Sequence, residues 1–260
     1  MKEKIEKYIK EFVKKYPEVK GTETRWKEPL IAYADAKNPM FLELKKIVVP
    51  THGIPTDFLQ DAKTVITYFL PFEGEVVKSN IKGKESSRTW GMAYIETNRL
   101  ILDLNTYLHE KIQELGYQST IIPATHNFDV ETLISEWSHR HVAYIAGLGK
   151  FGLNNMFITE KGCCGRVGSI VTNIKIEATE VKEEEYCLYK TKAICKKCVE
   201  GCINGALTVD GYDRHKCYEM CLHNDEYLGD IGVTDVCGKC MVGVPCSFRN
   251  PTNPPKISNN

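Results

Sequence analysis

Cys195-Lys196-Lys197-Cys198-Val199-Glu200-Gly201-Cys202-Ile203-Asn204-Gly205-Ala206-Leu207 decides how this chain is read. Three cysteines spaced C-x2-C-x3-C are denser than the filling of an apolar core calls for. The density continues outward. Of eleven cysteines in 260 residues none precedes Cys163, and nine fall between Cys187 and Cys246. They form two groups: Cys187, Cys195, Cys198 and Cys202, then Cys217, Cys221, Cys237, Cys240 and Cys246, each containing a C-x2-C.

The compartment settles what such thiols are for. Met1 to Lys15 mixes Lys and Glu without an apolar run of signal-peptide length, and no stretch approaches the ~20 apolar residues that span a bilayer, so a cytoplasmic protein with no membrane partner is expected. Reducing cytosol disfavours structural disulfides and leaves metal binding or redox chemistry. Charge is balanced at 34 basic against 34 acidic residues, so no global field favours a nucleic-acid partner. An apolar content of 42% is ordinary for a packed protein.

In the ferredoxin run C-x2-C-x2-C-x3-C, three thiolates hold one cube and the fourth points away to ligate the other. Cys195, Cys198 and Cys202 reproduce its last three positions, with Cys187 displaced upstream. Zinc also uses C-x2-C knuckles but pairs two of them; C-x2-C-x3-C and C-x2-C-x5-C are lopsided for a tetrahedral site. Iron-sulfur clusters are therefore the preferred reading over zinc, and disulfides rank below both. Cys163-Cys164 is left over as a vicinal pair, as is one of Cys217 and Cys221.

Upstream the chain alternates helix and strand. Ile5, Tyr8, Ile9, Phe12 and Val13 follow the rhythm of an amphipathic helix. Val65 to Leu70 is β-branched and aromatic, a buried strand closed by Pro71. Asn98 to Leu115 predicts a helix with an apolar stripe at Ile101, Leu104, Leu108, Ile112 and Leu115, stopped by Gly116. Gln118 to Ile122 and Ser169 to Ile176 read as strands, and Glu136 to Ile145 as a helix running into Ala146-Gly147-Leu148-Gly149-Lys150-Phe151-Gly152. A charged stretch, Lys182 to Glu185, marks a boundary at about Glu180, and the residues after Phe248 form a Pro- and Asn-rich tail.

Ser135-Glu136-Trp137-Ser138-His139-Arg140-His141, then Ala146 to Leu153, then the two cysteine groups resemble the epoxyqueuosine reductase family and its shorter relatives, which are kin to the reductive dehalogenases. The similarity covers about Trp26 to Asn250 and includes Glu28-Pro29-Leu30, Tyr68-Phe69-Leu70-Pro71-Phe72 and Val236-Cys237-Gly238-Lys239-Cys240. The resemblance implies an α+β chain. Its nitroreductase-like domain, residues 1–180, binds cobalamin; a small bacterial-ferredoxin-like domain, 181–250, carries two 4Fe-4S clusters; 251–260 is a tail. One cluster takes Cys187, Cys195, Cys198 and Cys246, the other Cys202, Cys217, Cys237 and Cys240, with Cys221 the alternative to Cys217.

A corrinoid suits the glycine loop, because Gly147, Gly149 and Gly152 let main chain approach a flat macrocycle while Leu148 and Phe151 give apolar cover, with Lys150 in the same cofactor-binding stretch. The competing reading is a helix cap and tight turn. The family's proton donor is an Asp upstream of this loop; Asp129 is the nearest here, reached by an insertion, and His139 or Glu136 is the substitute. The implied activity is an oxidoreductase passing electrons from the clusters to cobalamin, fed by an electron-donor protein and acting on a small molecule or a corrinoid protein. The chain lacks the further C-terminal region of the longer tRNA-modifying enzymes, so tRNA is not the expected substrate. The alternative is a non-catalytic electron-transfer module with a flavin or no cobalamin.

Overall fold

The computed structural model describes residues 1–123 and 126–253. Along the chain run α1 (Lys2–Lys20), β1 (Leu30–Asp35), α2 (Met40–Ile47), α3 (Pro55–Phe58), β2 (Thr64–Pro71), α4 (Gly74–Ser79), α5 (Arg88–Glu114), β3 (Ser119–Ile121), β4 (Phe128–Asp129), β5 (Ile134–Ser135), α6 (His139–Ile145), β6 (Gly149–Phe151), β7 (Phe157–Thr159), β8 (Gly165–Thr172), α7 (Leu188–Lys192), α8 (Lys197–Glu200) and α9 (Arg214–Tyr227). They divide into two compact units. One comprises residues 1–73, 91–148 and 165–182; the other comprises 74–90, 149–164 and the chain from 183 on.

The first unit is built on an antiparallel sheet of order β1-β2-β8-β3. The central strand β2 is buried at every position, pairing Ala32 with Thr67 on one side and Ser169 with Thr67 on the other. Side chains of a strand alternate between faces, so Ile66, Tyr68 and Leu70 share one face. There they join Ile5, Ile9 and Val13 of α1 and Leu100, Leu104, Leu108 and Ile112 of α5 in one core. Leu100, Leu104, Leu108 and Ile112 are 0% exposed, each burial worth roughly 1.5–3 kcal/mol. One polar link crosses this core: Tyr68 Oη donates to Asn105 Oδ1 (2.8 Å), and Asn105 Nδ2 to Ser169 O (3.3 Å). On the other face α6 packs against β2 and β8.

Several boundaries differ from the sequence expectation. Helix α5 begins at Arg88, ten residues before Asn98, because Trp90, Ala93, Tyr94 and Thr97 extend its buried side. Helix α6 begins at His139, not Glu136; Ser138 is extended and gives its N–H to His52 Nε2 (3.0 Å). The strand expected over Ser169 to Ile176 lies at Gly165–Thr172. Its glycines hide it: a Cβ on Gly165 would stand 2.3 Å from Leu70 O, and one on Gly168 2.4 Å from Tyr68 Oη.

The second unit begins its last segment at Glu183, near the expected boundary, and also gathers 74–90 and 149–164, which sequence reading assigned to the first domain. Residues 254–260, most of the expected tail, lie outside the described residues.

Candidate metal centres

None of the eleven cysteines is in a disulfide. Cys187 is the N-cap of α7, Cys198 lies in α8, and Cys217 and Cys221 stand one turn apart on α9, whose N-cap Asp213 accepts from Lys216 N–H (3.0 Å). Cys187, Cys195, Cys198 and Cys246 line a single small cavity with Leu153 and Val244. Burial pushes the Cys198 thiol up to about 11, and the nearby sulfurs of Cys246, Cys187 and Cys195 push in the same direction. The first expected set of four is thus brought together.

The second set is brought together as well. Burial raises the Cys240 thiol well above its ordinary value, reinforced by Cys237, Cys217, Cys202 and Cys198 in that order. Cys237 is raised by burial and by Cys217 and Cys202. Cys221 is raised first by its hydrogen bond to Cys217, so both candidates on α9 stand beside this set. Cys202 Sγ accepts from Leu207 N–H (3.3 Å), and Lys239 places its ammonium near Cys237 while donating to Asn80 O and Lys82 O, both 2.9 Å. Gly238, at φ 74, lets this loop lie on Trp90; a Cβ there would be 2.3 Å from the ring.

Buried sulfurs that raise one another's pKa would be stabilised as thiolates by positive charge between them, such as a bound metal supplies. Among the described residues no three Cys, His, Asp or Glu side chains stand close enough to chelate a single ion.

The glycine loop is accounted for differently. Gly147 N–H donates to Tyr144 O and Leu148 N–H to Ala143 O, both 3.0 Å, a Schellman closure of α6 with Gly147 at φ 76. A Cβ on Gly147 would meet Glu180 O at 3.0 Å, one on Gly149 would meet Ile158 O at 2.2 Å in the β6–β7 pair, and one on Gly152 Asn154 Oδ1 at 2.6 Å. The chain itself fills the space these glycines leave. Leu148 and Lys150 are buried, and Phe151 packs edge-on against Phe157.

Neither Asp129 nor His139 is poised to donate a proton. Asp129 is exposed on the β4–β5 hairpin, its Oδ1 accepting from Thr132 N–H and Oγ1 (2.8 Å each), which holds the carboxyl below its usual pKa. His139 is buried between Ser169 Oγ (2.8 Å from Nδ1) and Pro123 O (2.9 Å from Nε2); Ser169 also accepts from Trp137 Nε1 (3.1 Å). Since Pro123 O can only accept, Nε2 carries a proton. Burial, with Arg166 adding to it, lowers His139 to about 4. His52 and His141, which sequence reading left without a role, are lowered mainly by burial too.

A pH dependence follows. Because the folded pKa of His139 lies below the unfolded value of about 6.5, its contribution is complete above pH 6.5 and is lost as pH falls toward 4, roughly 3 kcal/mol in all. Urea midpoints should fall across this window, and His139→Gln should flatten the fall; an equal slope in both proteins contradicts the buried neutral ring.

No protein-family profile matches the chain, and no curated protein does. Solved structures do. An epoxyqueuosine reductase from Streptococcus thermophilus aligns with 93% of the chain at 19% identity and TM-score 0.54, covering 67% of its own length. An epoxyqueuosine reductase with an epoxyqueuosine-modified tRNA-Tyr stem loop aligns with 92% at 20% identity and TM-score 0.56, over 65% of its length. A catabolic reductive dehalogenase aligns with 85% at 14% identity and TM-score 0.54, over 30% of its length. The chain spans about two thirds of the epoxyqueuosine reductases it matches. One of these holds a tRNA stem loop, so the fold gives no support to the expectation that nucleic acid is not a partner. Among the described residues no helix is long and apolar enough to cross a membrane. The chain has the fold of the epoxyqueuosine reductases, as the resemblance carried by its motifs implied.

Proposed function

We propose that this protein is an iron-sulfur oxidoreductase. What supports the reading is that Cys246, late in the chain, lines one cavity with Cys187, Cys195 and Cys198, and that Cys240 has Cys237, Cys217 and Cys202 among its neighbours. In this reading each set holds one 4Fe-4S cluster in a ferredoxin-like unit, and a bound cluster exchanges one electron at a time with an electron-donor protein. The chain's own part is to bury the sulfurs, to donate Leu207 N–H to Cys202 and to hold the Lys239 ammonium near Cys237. A nitroreductase-like first domain, a cytoplasmic setting and a small-molecule or corrinoid-protein substrate complete the proposal.

Cobalamin as the electron acceptor rests on the shared fold. The glycine loop does not fit a macrocycle, since protein atoms fill the space at Gly147, Gly149 and Gly152. No catalytic step is assigned to a corrinoid there. The same observation favours a second reading, an electron-transfer protein with a flavin or no organic cofactor. Anaerobic purification in the presence of hydroxocobalamin separates the two: a corrinoid spectrum co-eluting with cluster absorbance supports the reductase, and cluster absorbance alone supports the carrier. Zinc without acid-labile sulfide sinks both. Binding of a tRNA stem loop in a gel shift would replace the small-molecule substrate with RNA.

A further inference from the structure

Cys163 and Cys164 belong to neither set, yet both are buried at 2% exposure. They are pinned against the segment that carries Cys246. Cys163 N–H donates to Cys246 O (2.9 Å) and Cys164 N–H to Ser247 O (3.3 Å). Gly162, at φ 85, permits this approach: a Cβ there would lie 2.5 Å from Ser247 O and 2.6 Å from the backbone nitrogens of Phe248 and Arg249. The two thiols then divide the nearby acceptors. Cys164 Sγ stands 3.2 Å from Met241 O, a good distance for a thiol donor. Cys163 Sγ is 3.8 Å from that same carbonyl and 4.0 Å from Cys246 Sγ.

Resting on the cluster assignment above, we propose that Cys163 is a positioning residue that donates its S–H to the sulfur of Cys246. A carbonyl already taken by Cys164 is the weaker attraction for the Cys163 proton, whereas a ligating thiolate carries charge and strengthens any hydrogen bond it accepts. Such a bond spreads the negative charge of the sulfur and favours the reduced cluster, which has one more electron to hold. Hydrogen bonds to cluster sulfurs are among the terms that set the potential. Cys163 therefore raises the reduction potential of the cluster on Cys187, Cys195, Cys198 and Cys246 and leaves the other comparatively unaffected. The vicinal pair is not a catalytic dithiol in this account: Cys164 orients, and Cys163 tunes.

The test is an anaerobic redox titration of the purified, cluster-loaded full chain followed by electron paramagnetic resonance, with iron and sulfide counted for each variant. Cys163→Ala should keep the wild-type iron content and move one cluster signal to a more negative potential. Cys163→Ser, whose hydroxyl can still donate, should recover most of that shift, and Cys164→Ala, which leaves Met241 O open to the Cys163 proton, should move the same signal in the same direction by a smaller amount. An unchanged potential in Cys163→Ala, an equal shift of both signals, or no recovery with serine overturns the proposal. So does loss of half the iron in Cys163→Ala, which would make Cys163 a ligand. Wild-type protein without iron and sulfide is a different result: it removes the cluster assignment itself, and the proposal with it.

Discussion

Cys198→Ala is expected to halve the cluster content, from about eight irons per chain to about four, and to abolish electron transfer. Cys198 is the right residue to remove because its thiol has all three other members of its set as neighbours and is buried at 8% exposure, so solvent does not readily supply a substitute. Iron and acid-labile sulfide analysis of anaerobically prepared protein checks the first part, and reduction of a one-electron dye the second. Cys240→Ala should have the corresponding effect on the other set. The pair on α9 supplies an internal control: of Cys217→Ala and Cys221→Ala, only one should lower the iron count. If Cys198→Ala retains full iron and sulfide, the crossed assignment is wrong.

Gly149→Ala is expected to destabilise the protein by about 3 kcal/mol, whether or not any cofactor is present. The added methyl would sit 2.2 Å from Ile158 O, a backbone atom fixed by the pairing of Lys150 with Ile158. Gly21→Ala is the fair comparison. Gly21, unlike Gly149, occupies a left-handed conformation, at φ 65, but with nothing within 4 Å, so its cost is the conformational one alone, roughly 1–2 kcal/mol. Urea denaturation of the cofactor-free protein distinguishes the two roles considered for this loop. A cradle for a macrocycle predicts unchanged stability and weaker corrinoid retention; packing predicts loss of stability in the absence of any ligand.

The legible parts of the fold were those whose side chains repeat in register with a large core. Ile5, Ile9 and Val13 on α1, the unbroken apolar run of β2 and the stripe from Ile101 to Ile112 on α5 all bury where their pattern places them. What escaped sequence reading depends on partners distant in the chain. Gly165 and Gly168 lower the strand propensity of β8 because neighbouring atoms of β2 fill their space, and Ser138 stays out of α6 because His52 takes its N–H. Helix α9 has no apolar stripe to announce it; only Met220 and Asn224 are buried on it. The concentration of cysteines between Cys187 and Cys246 was legible because thiol spacing is local chemistry, whereas their division into two sets of four came from the resemblance. The glycines after α6 were read two ways, and the cap is what the hydrogen bonds of Gly147 and Leu148 show. The surroundings of His139 were invisible in sequence, since a serine thirty residues away ties its second nitrogen.

The gathering of 74–90 and 149–164 into the cysteine-rich unit has a bearing on biosynthesis. A nascent chain releases residues 1–182 from the ribosome well before Cys246, and during that interval two of the pieces the later unit needs are already synthesised but have nothing to dock against. On the cluster reading proposed above, metal delivery would wait until translation has passed Cys246, and a fragment beginning at Glu183 is expected to be a poor acceptor of iron, however intact its thiols.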